Sequence, residues 1–388
     1  MNMITKGLFT SVALLAMVSC GGGGSNVAGG GIGGTGVSQG PITGFGSVFV
    51  NGIQFHTTGA EIEIEDNPQR PESELRTGMV VKIEWERDSS GTNYTARRII
   101  YSDDVQGPVS GLMGSTFTVL GRTVTVTSLT VFDGGLTGLA GARPLTNNDI
   151  AEVSGLIDVN GNIQATRIEL KDASSALEFE LKGVVSSFNG SQFNIGTAVV
   201  NYSGTPVGLG NRMCVEVKGT LSSVMPGSAL SPTEIKLDDS CTAGGSEGQE
   251  VKVEGLIGGF TMGTSQFTVN GQTVQVTSQT IYDNGTSSSM LADNAKVQVE
   301  GTLSSGVLIV KKISFRQEVT SEIDGMVTHV DLTSKTVTLD TATHPVTVNN
   351  LTLFDDGLQN IGDIQVNDRL KIHYYLQGSS RIATHIEK

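Results

Sequence analysis

The chain has 388 residues, a formal net charge of −14 and only 16% charged residues. Gly fills 51 positions, and no long run places apolar residues at i, i+3, i+4 and i+7, which excludes a helical protein. The acidic balance argues against nucleic acid and against anionic lipid heads as partners.

The first element is a processing segment. Lys6 precedes the apolar run Leu8 to Val18, too short for a membrane span, which needs about 20 residues. The run ends in "MVSC", which resembles a bacterial lipoprotein signal. Residues 1–19 are then a signal peptide and Cys20 is the lipidated first residue of the mature chain. An ordinary secretory signal is the alternative, but a cysteine at the junction followed by "GGGGS" favours lipidation. Gly21 rather than Asp after that cysteine implies the outer membrane by the Gram-negative sorting rule. A lipoprotein cysteine carries the multiple acyl chains that stable anchoring requires.

Residues 20–39 read as a Gly-rich tether with a root-mean-square reach of roughly 25 Å. Two catalytic-looking patterns lie in it. "GIGGTG" (Gly31 to Gly36) matches the dinucleotide fingerprint and "GVSQG" (Gly36 to Gly40) the nucleophile elbow. Each needs a strand before it and a helix after it, and neither flank is present.

Beyond residue 40 one phrase recurs about every 70 residues. "VFVNGIQF" (from Val48), "FTVLGRTV" (from Phe117), "FNIGTAVV" (from Phe193), "FTVNGQTV" (from Phe267) and "VTLDTATHPV" (from Val337) each read as a hairpin. Asn51-Gly52 and Asn270-Gly271 predict type I′ turns, since both central residues need φ > 0. A Thr-x-aromatic-Asp step follows at Thr130 to Asp133, Thr280 to Asp283 and Thr352 to Asp355. Two further strands complete each copy, as in "VKIEW" (from Val81) and "ARRI" (from Ala96). The expected fold is all-β: five tandem OB-like closed barrels covering 40–106, 107–179, 180–247, 248–318 and 319–388. Closure removes the exposed strand edges that an open sheet would carry.

"GPITGFGSVFVNGIQF" (Gly40 to Phe55), "GMVVKIEW" (Gly78 to Trp85) and "ARRIIYSDDVQGPVSG" (Ala96 to Gly111) resemble the bacterial domain of unknown function 5666 family. The resemblance implies small β-barrels, often in tandem on lipoproteins. It implies no activity.

Three sets of residues invite a functional reading. Asp133, Asp283 and Asp355 are weak cation-ligand candidates, but each precedes Gly or Asn and reads better as a turn cap. His329, His344, His373 and His385 cluster in the last copy without ligand spacing, and His373 takes a slot that is polar in the other copies, so they read as solvated surface. Trp85 and Tyr374 stand where three copies have Gly and read as packing rather than as sugar platforms. The neighbouring acids Asp103 and Asp104 point to opposite faces and make a poor catalytic pair.

Cys214 and Cys241, 27 residues apart in the third copy, are expected to form a structural disulfide in an oxidising compartment. The reading is a non-enzymatic envelope lipoprotein, a tandem barrel binding or spacer module. It is held to the outer membrane by its lipid and faces the periplasm or the surface. No cofactor or metal is expected, and no nucleic-acid partner. The alternatives are an enzyme acting on envelope polymers and a polysaccharide- or metal-binding surface protein.

Overall fold

The computed structural model describes residues 34–172, 178–204, 208–221, 228–283, 286–316, 321–377 and 379–388. The expected signal peptide, residues 1–19, and the expected lipidation site Cys20 lie outside them.

The first barrel shows how the repeated phrase folds. β1 (Thr35–Gly44), β2 (Val48–Val50) and β3 (Ile53–His56) form a meander. β4 (Glu61–Ile64) and β3 both lie parallel to β6 (Tyr94–Tyr101), and β6 pairs antiparallel with β5 (Val80–Arg87). β5 returns to β1 and closes the ring. This first–second–third–last–fourth–first order is the five-stranded OB topology. Asn51 and Gly52 have φ of 55° and 76°, as a type I′ turn demands. Val81, Ile83 and Trp85 alternate into the core, with Trp85 packed edge-on against Tyr94 at 5.0 Å.

Barrel 2 repeats the plan with β7 (Val105–Met113), β8 (Thr116–Val119), β9 (Arg122–Thr125), β10 (Val131–Asp133), β11 (Ile150–Ile157) and β12 (Ile163–Lys171). In barrel 3, β13 (Glu178–Ser186), β14 (Gln192–Ile195), β15 (Ala198–Asn201), β16 (Cys214–Thr220) and β17 (Glu234–Leu237) close through a lone parallel bridge from Val200 to Leu230. Barrel 4 is β18 (Glu250–Gly258), β19 (Gln266–Val269), β20 (Gln272–Gln275), β21 (Ile281–Tyr282), β22 (Lys296–Ser304) and β23 (Val307–Phe315). Barrel 5 is β24 (Ser321–Asp331), β25 (Thr336–Leu339), β26 (Val346–Thr347), β27 (Leu353–Phe354), β28 (Arg369–Gln377) and β29 (Ser380–Glu387).

The barrels are welded to one another out of chain order. β1 pairs in parallel with β18, from Gly36 opposite Glu250 to Gln39 opposite Val253, so barrels 1 and 4 share a 12-stranded sheet. β7 and β13 join barrels 2 and 3 in an 11-stranded sheet with one continuous apolar core. Barrel 5 keeps its own six-stranded sheet and docks on barrel 1, where Phe45 N donates to Gln359 O at 3.0 Å. Gly33–Lys388 forms one compact unit.

Besides β7 and β13, which each begin two residues before the start predicted for their barrels, one boundary shifts further. The tether predicted over 20–39 ends earlier, because residues 35–39 belong to β1. Ser38 and Gln39 are polar yet buried, since β5 covers one edge of this stretch and β18 the other. Gly36 leaves the room that the Trp85 ring fills; a Cβ there would sit 2.0 Å from Trp85 Cζ2. "GVSQG" is therefore strand throughout, without the turn into a helix that a nucleophile elbow needs.

Candidate functional site

Most buried charge gathers where barrels 1, 2 and 3 meet. Only Ser102, Asp103 and Asp104 separate β6 from β7, so the link between two barrels has no slack to reach solvent. Its two acids point apart, as neighbours in extended chain do. Asp104 Oδ2 accepts from Gly155 N at 2.8 Å in barrel 2. Asp103, only 2% exposed, turns the other way and donates its backbone N–H to Glu65 Oε1 at 2.9 Å. Glu65 follows β4 in a left-handed turn, with φ of 48° there and 61° at Asp66. Glu180 arrives from β13 in barrel 3.

One carboxylate oxygen from each of Glu65, Asp103 and Glu180 lies within 4.8 Å of the others. Glu65 Oε2 and Asp103 Oδ1 are buried, and neither has a hydrogen-bond partner among the described residues. Burial first, and neighbouring carboxylates second, push both acids well above the usual carboxylate range.

The surrounding lysines have partners of their own. Lys182 Nζ donates to Ser102 O at 2.6 Å and stands 4.0 Å from Asp104. Lys171 donates to Glu152 Oε2 at 2.5 Å, and Tyr101 Oη donates to its other oxygen at 2.9 Å. Lys218 donates to Glu180 Oε2 at 3.1 Å. Nearby, burial pushes Glu216 up to about 7, helped by Asp66 and Glu180 and resisted by Lys218. A buried cluster of this kind fixes how its contributors sit, because each charge left unpaired is expensive.

The candidate acids of the repeated turn lie apart from this junction, each in its own barrel. Asp133 and Asp355 accept from the next residue's backbone N–H, at 2.7 and 2.8 Å. Each also faces a basic residue at one register of the closing strand: Asp133 with Arg167, Asp283 with Lys312 and Asp355 with His385. Barrel 1 does the same with Glu63 and Arg98. The backbone contacts place Asp133 and Asp355 at turns, and the facing side chain on the closing strand is what the sequence reading missed.

The histidines need correcting. His329 and His344 are exposed, but His373 and His385 are only 8% and 2% exposed. Their rings stack with centroids 5.5 Å apart. His385 Nδ1 lies 2.9 Å from the Ser128 carbonyl of barrel 2, and His373 Nε2 lies 3.5 Å from Glu387. The slot does face out of barrel 5. Barrel 2 covers the neighbouring His385, so that outer face is not a solvated one.

Cys214 and Cys241 form the expected disulfide, with Cα atoms 5.8 Å apart. It pins the segment leaving barrel 3. Ser240 O accepts from Gln39 Nε2 at 2.8 Å in barrel 1, and Cys241 O lies 2.3 Å from where a Cβ on Gly271 would stand in barrel 4.

Tandem closed barrels of one duplicated module, joined edge to edge, define an OB-type multi-barrel protein. The sequence pattern of the domain of unknown function (DUF5666) matches residues 37–100, 106–169, 254–314 and 324–387. The chain belongs to that family, and its third barrel lies outside the matched segments. A search of curated proteins finds no match. Among solved structures the chain is similar to drosophila Unr CSD456, at 15% identity over 42% of this chain and 79% of that one, with a TM-score of 0.16.

Proposed function

We propose that the protein is a non-enzymatic lipoprotein, held on the outer membrane through Cys20, whose five barrels act as one rigid spacer or binding scaffold. The observation that carries this reading is the double use of β1, paired to β5 within its own barrel and to β18 of barrel 4. A flexible string of independent binding domains would not bury strand edges between modules. The buried charges support the same reading, because they hold barrel to barrel. Arg122, for example, reaches from the barrel 2 hairpin to the Lys182 carbonyl of barrel 3 at 2.9 Å. The net charge of −14 favours a protein or neutral polymer partner over nucleic acid.

Fractionation combined with limited proteolysis tests both halves of the proposal. Cys20→Ser should move the mature protein from membranes to the soluble fraction, with its five barrels still resisting protease as one core. Retention in membranes would remove the anchor. Early release of single-barrel fragments would remove the rigid scaffold.

A further inference from the structure

We propose that the junction of barrels 1, 2 and 3 binds one Ca²⁺ through carboxylate oxygens of Glu65, Asp103 and Glu180, stapling three separate chain segments together. This goes beyond the scaffold reading and departs from the sequence expectation of no metal.

The unpartnered atoms point to a ligand. Asp103 Oδ1 and Glu65 Oε2 are buried without a hydrogen bond, although Lys171, Lys182 and Lys218 all stand nearby. Those ammonium groups are held by Glu152, by Ser102 and Asp104, and by Glu180 respectively. Glu65 and Asp103 therefore have no ammonium group at ion-pair distance among the described residues, while Glu180 keeps Lys218 on its Oε2. A shared proton could link two of the carboxylates. A third oxygen brought to the same point from a third segment is instead the arrangement that surrounds a cation.

The chemistry of the donors selects the ion. All three are hard carboxylate oxygens, which suit Ca²⁺, Mg²⁺ or Mn²⁺ rather than a thiolate- or imidazole-preferring metal. Oxygens on opposite sides of a Ca²⁺ shell stand about 4.6–5.2 Å apart, twice a bond of 2.3–2.6 Å. The three oxygens lie within 4.8 Å of one another, close enough for one Ca²⁺ to reach all three. Mg²⁺ demands a near-ideal octahedron with bonds of about 2.0–2.1 Å and keeps several of its waters, so it is a poorer match for a set of protein carboxylates drawn from three separate segments. Ca²⁺ accepts irregular geometry, and water or backbone carbonyls would complete its shell.

The test uses the mature full-length protein, stripped with EDTA and titrated with CaCl₂. Bound metal is counted by elemental analysis, and the melting temperature is followed in parallel. One Ca²⁺ per chain and a melting temperature that rises with Ca²⁺ are expected. Asp103→Asn keeps the side chain's size and should weaken Ca²⁺ binding roughly tenfold or more, since affinity follows ligand charge. Glu65→Gln provides the same reading at a half-buried position should Asp103→Asn fold poorly. Wild-type Ca²⁺ binding in both variants would overturn the proposal. So would a wild-type melting temperature indifferent to Ca²⁺ alongside an Asp103→Asn protein that melts higher, because that pair of results marks a protonated acid.

Discussion

The Thr130 hydroxyl donates to the Ala165 carbonyl at 2.7 Å, one residue before Thr166 bulges out of the β11–β12 ladder. Thr280 does the same to Val310 at 2.8 Å and Thr352 to Ala383 at 2.9 Å, each beside the equivalent bulge. All three hydroxyls also accept the backbone N–H three residues earlier, from Thr127, Thr277 and Asn349. The repeated threonine thus serves a carbonyl at the point where the bulge interrupts the ladder. Val has nearly the same shape and no hydroxyl, so Thr130→Val and Thr352→Val should each cost about 1–3 kcal/mol, the penalty for buried polar groups left unsatisfied. Thr280 is more exposed, and Thr280→Val should cost less. Urea unfolding of the three variants checks the ranking; equal and negligible losses would show that the hydroxyls do not serve this role.

The disulfide carries the second prediction. Cys214→Ser with Cys241→Ser frees a loop of 27 residues and should lower stability by roughly 3–4 kcal/mol on the chain-entropy account. Because the Cys241 carbonyl abuts Gly271, the loss should reach barrel 4 and raise hydrogen exchange at the Asn270-Gly271 turn. Exchange confined to barrel 3 would show that the segment does not transmit the constraint.

The strand pattern within a module was legible because it is local. Alternation identified the buried face of β5, and Asn-Gly pairs marked the turns. What lay outside a barrel was not legible. His373 and Ser154 occupy one outward slot in different copies, yet both are buried, Ser154 by accepting Val80 N from barrel 1 at 2.9 Å. A period of two separates the inside of a barrel from its outside, and it carries no record of a neighbouring barrel. The same limit hid the β1–β18 pairing, where Val37, Ser38 and Gln39 look like linker until a strand more than 200 residues away covers them. The burial of Asp103 does have a local signal, since three residues between two strands are too few for a solvated linker.

Acid sensitivity should trace to Glu254. Burial alone would raise its pKa, but Arg316 at 2.8 Å and Lys296 at 3.1 Å outweigh that and hold it at about 2. A carboxylate depressed in the folded state stabilises fully above its unfolded pKa of about 4.3 and loses that contribution as pH falls toward 2. Roughly 3 kcal/mol should therefore disappear between about pH 5 and pH 2 in the wild type. The difference in stability between wild type and Glu254→Gln should shrink over that window. A difference that stays constant with pH would show that the ion pairs do not set it.

The seam between barrels 1 and 4 can be probed through the single tryptophan. Trp85 is 1% exposed, and its ring lies against Gly36, the first β1 residue paired with β18. Gly36→Ala would place a methyl 2.0 Å from Trp85 Cζ2, and rigid rings do not yield as a flexible side chain does. Either the indole leaves its place between Phe55 and Tyr94 or β1 lifts away from β5. Overpacking of this kind costs about 1–3 kcal/mol. Both outcomes let water toward the indole, so its emission should shift to the red, which Gly52→Ala, at the far turn of the same barrel, should not cause. Loss of β1 pairing would also open β18, and hydrogen exchange at Val251 and Val253 would rise together with that of Val37. A red shift with unchanged exchange in β18 means that the ring moved and the seam held. Faster exchange in both strands means that β1 is the weld between the barrels.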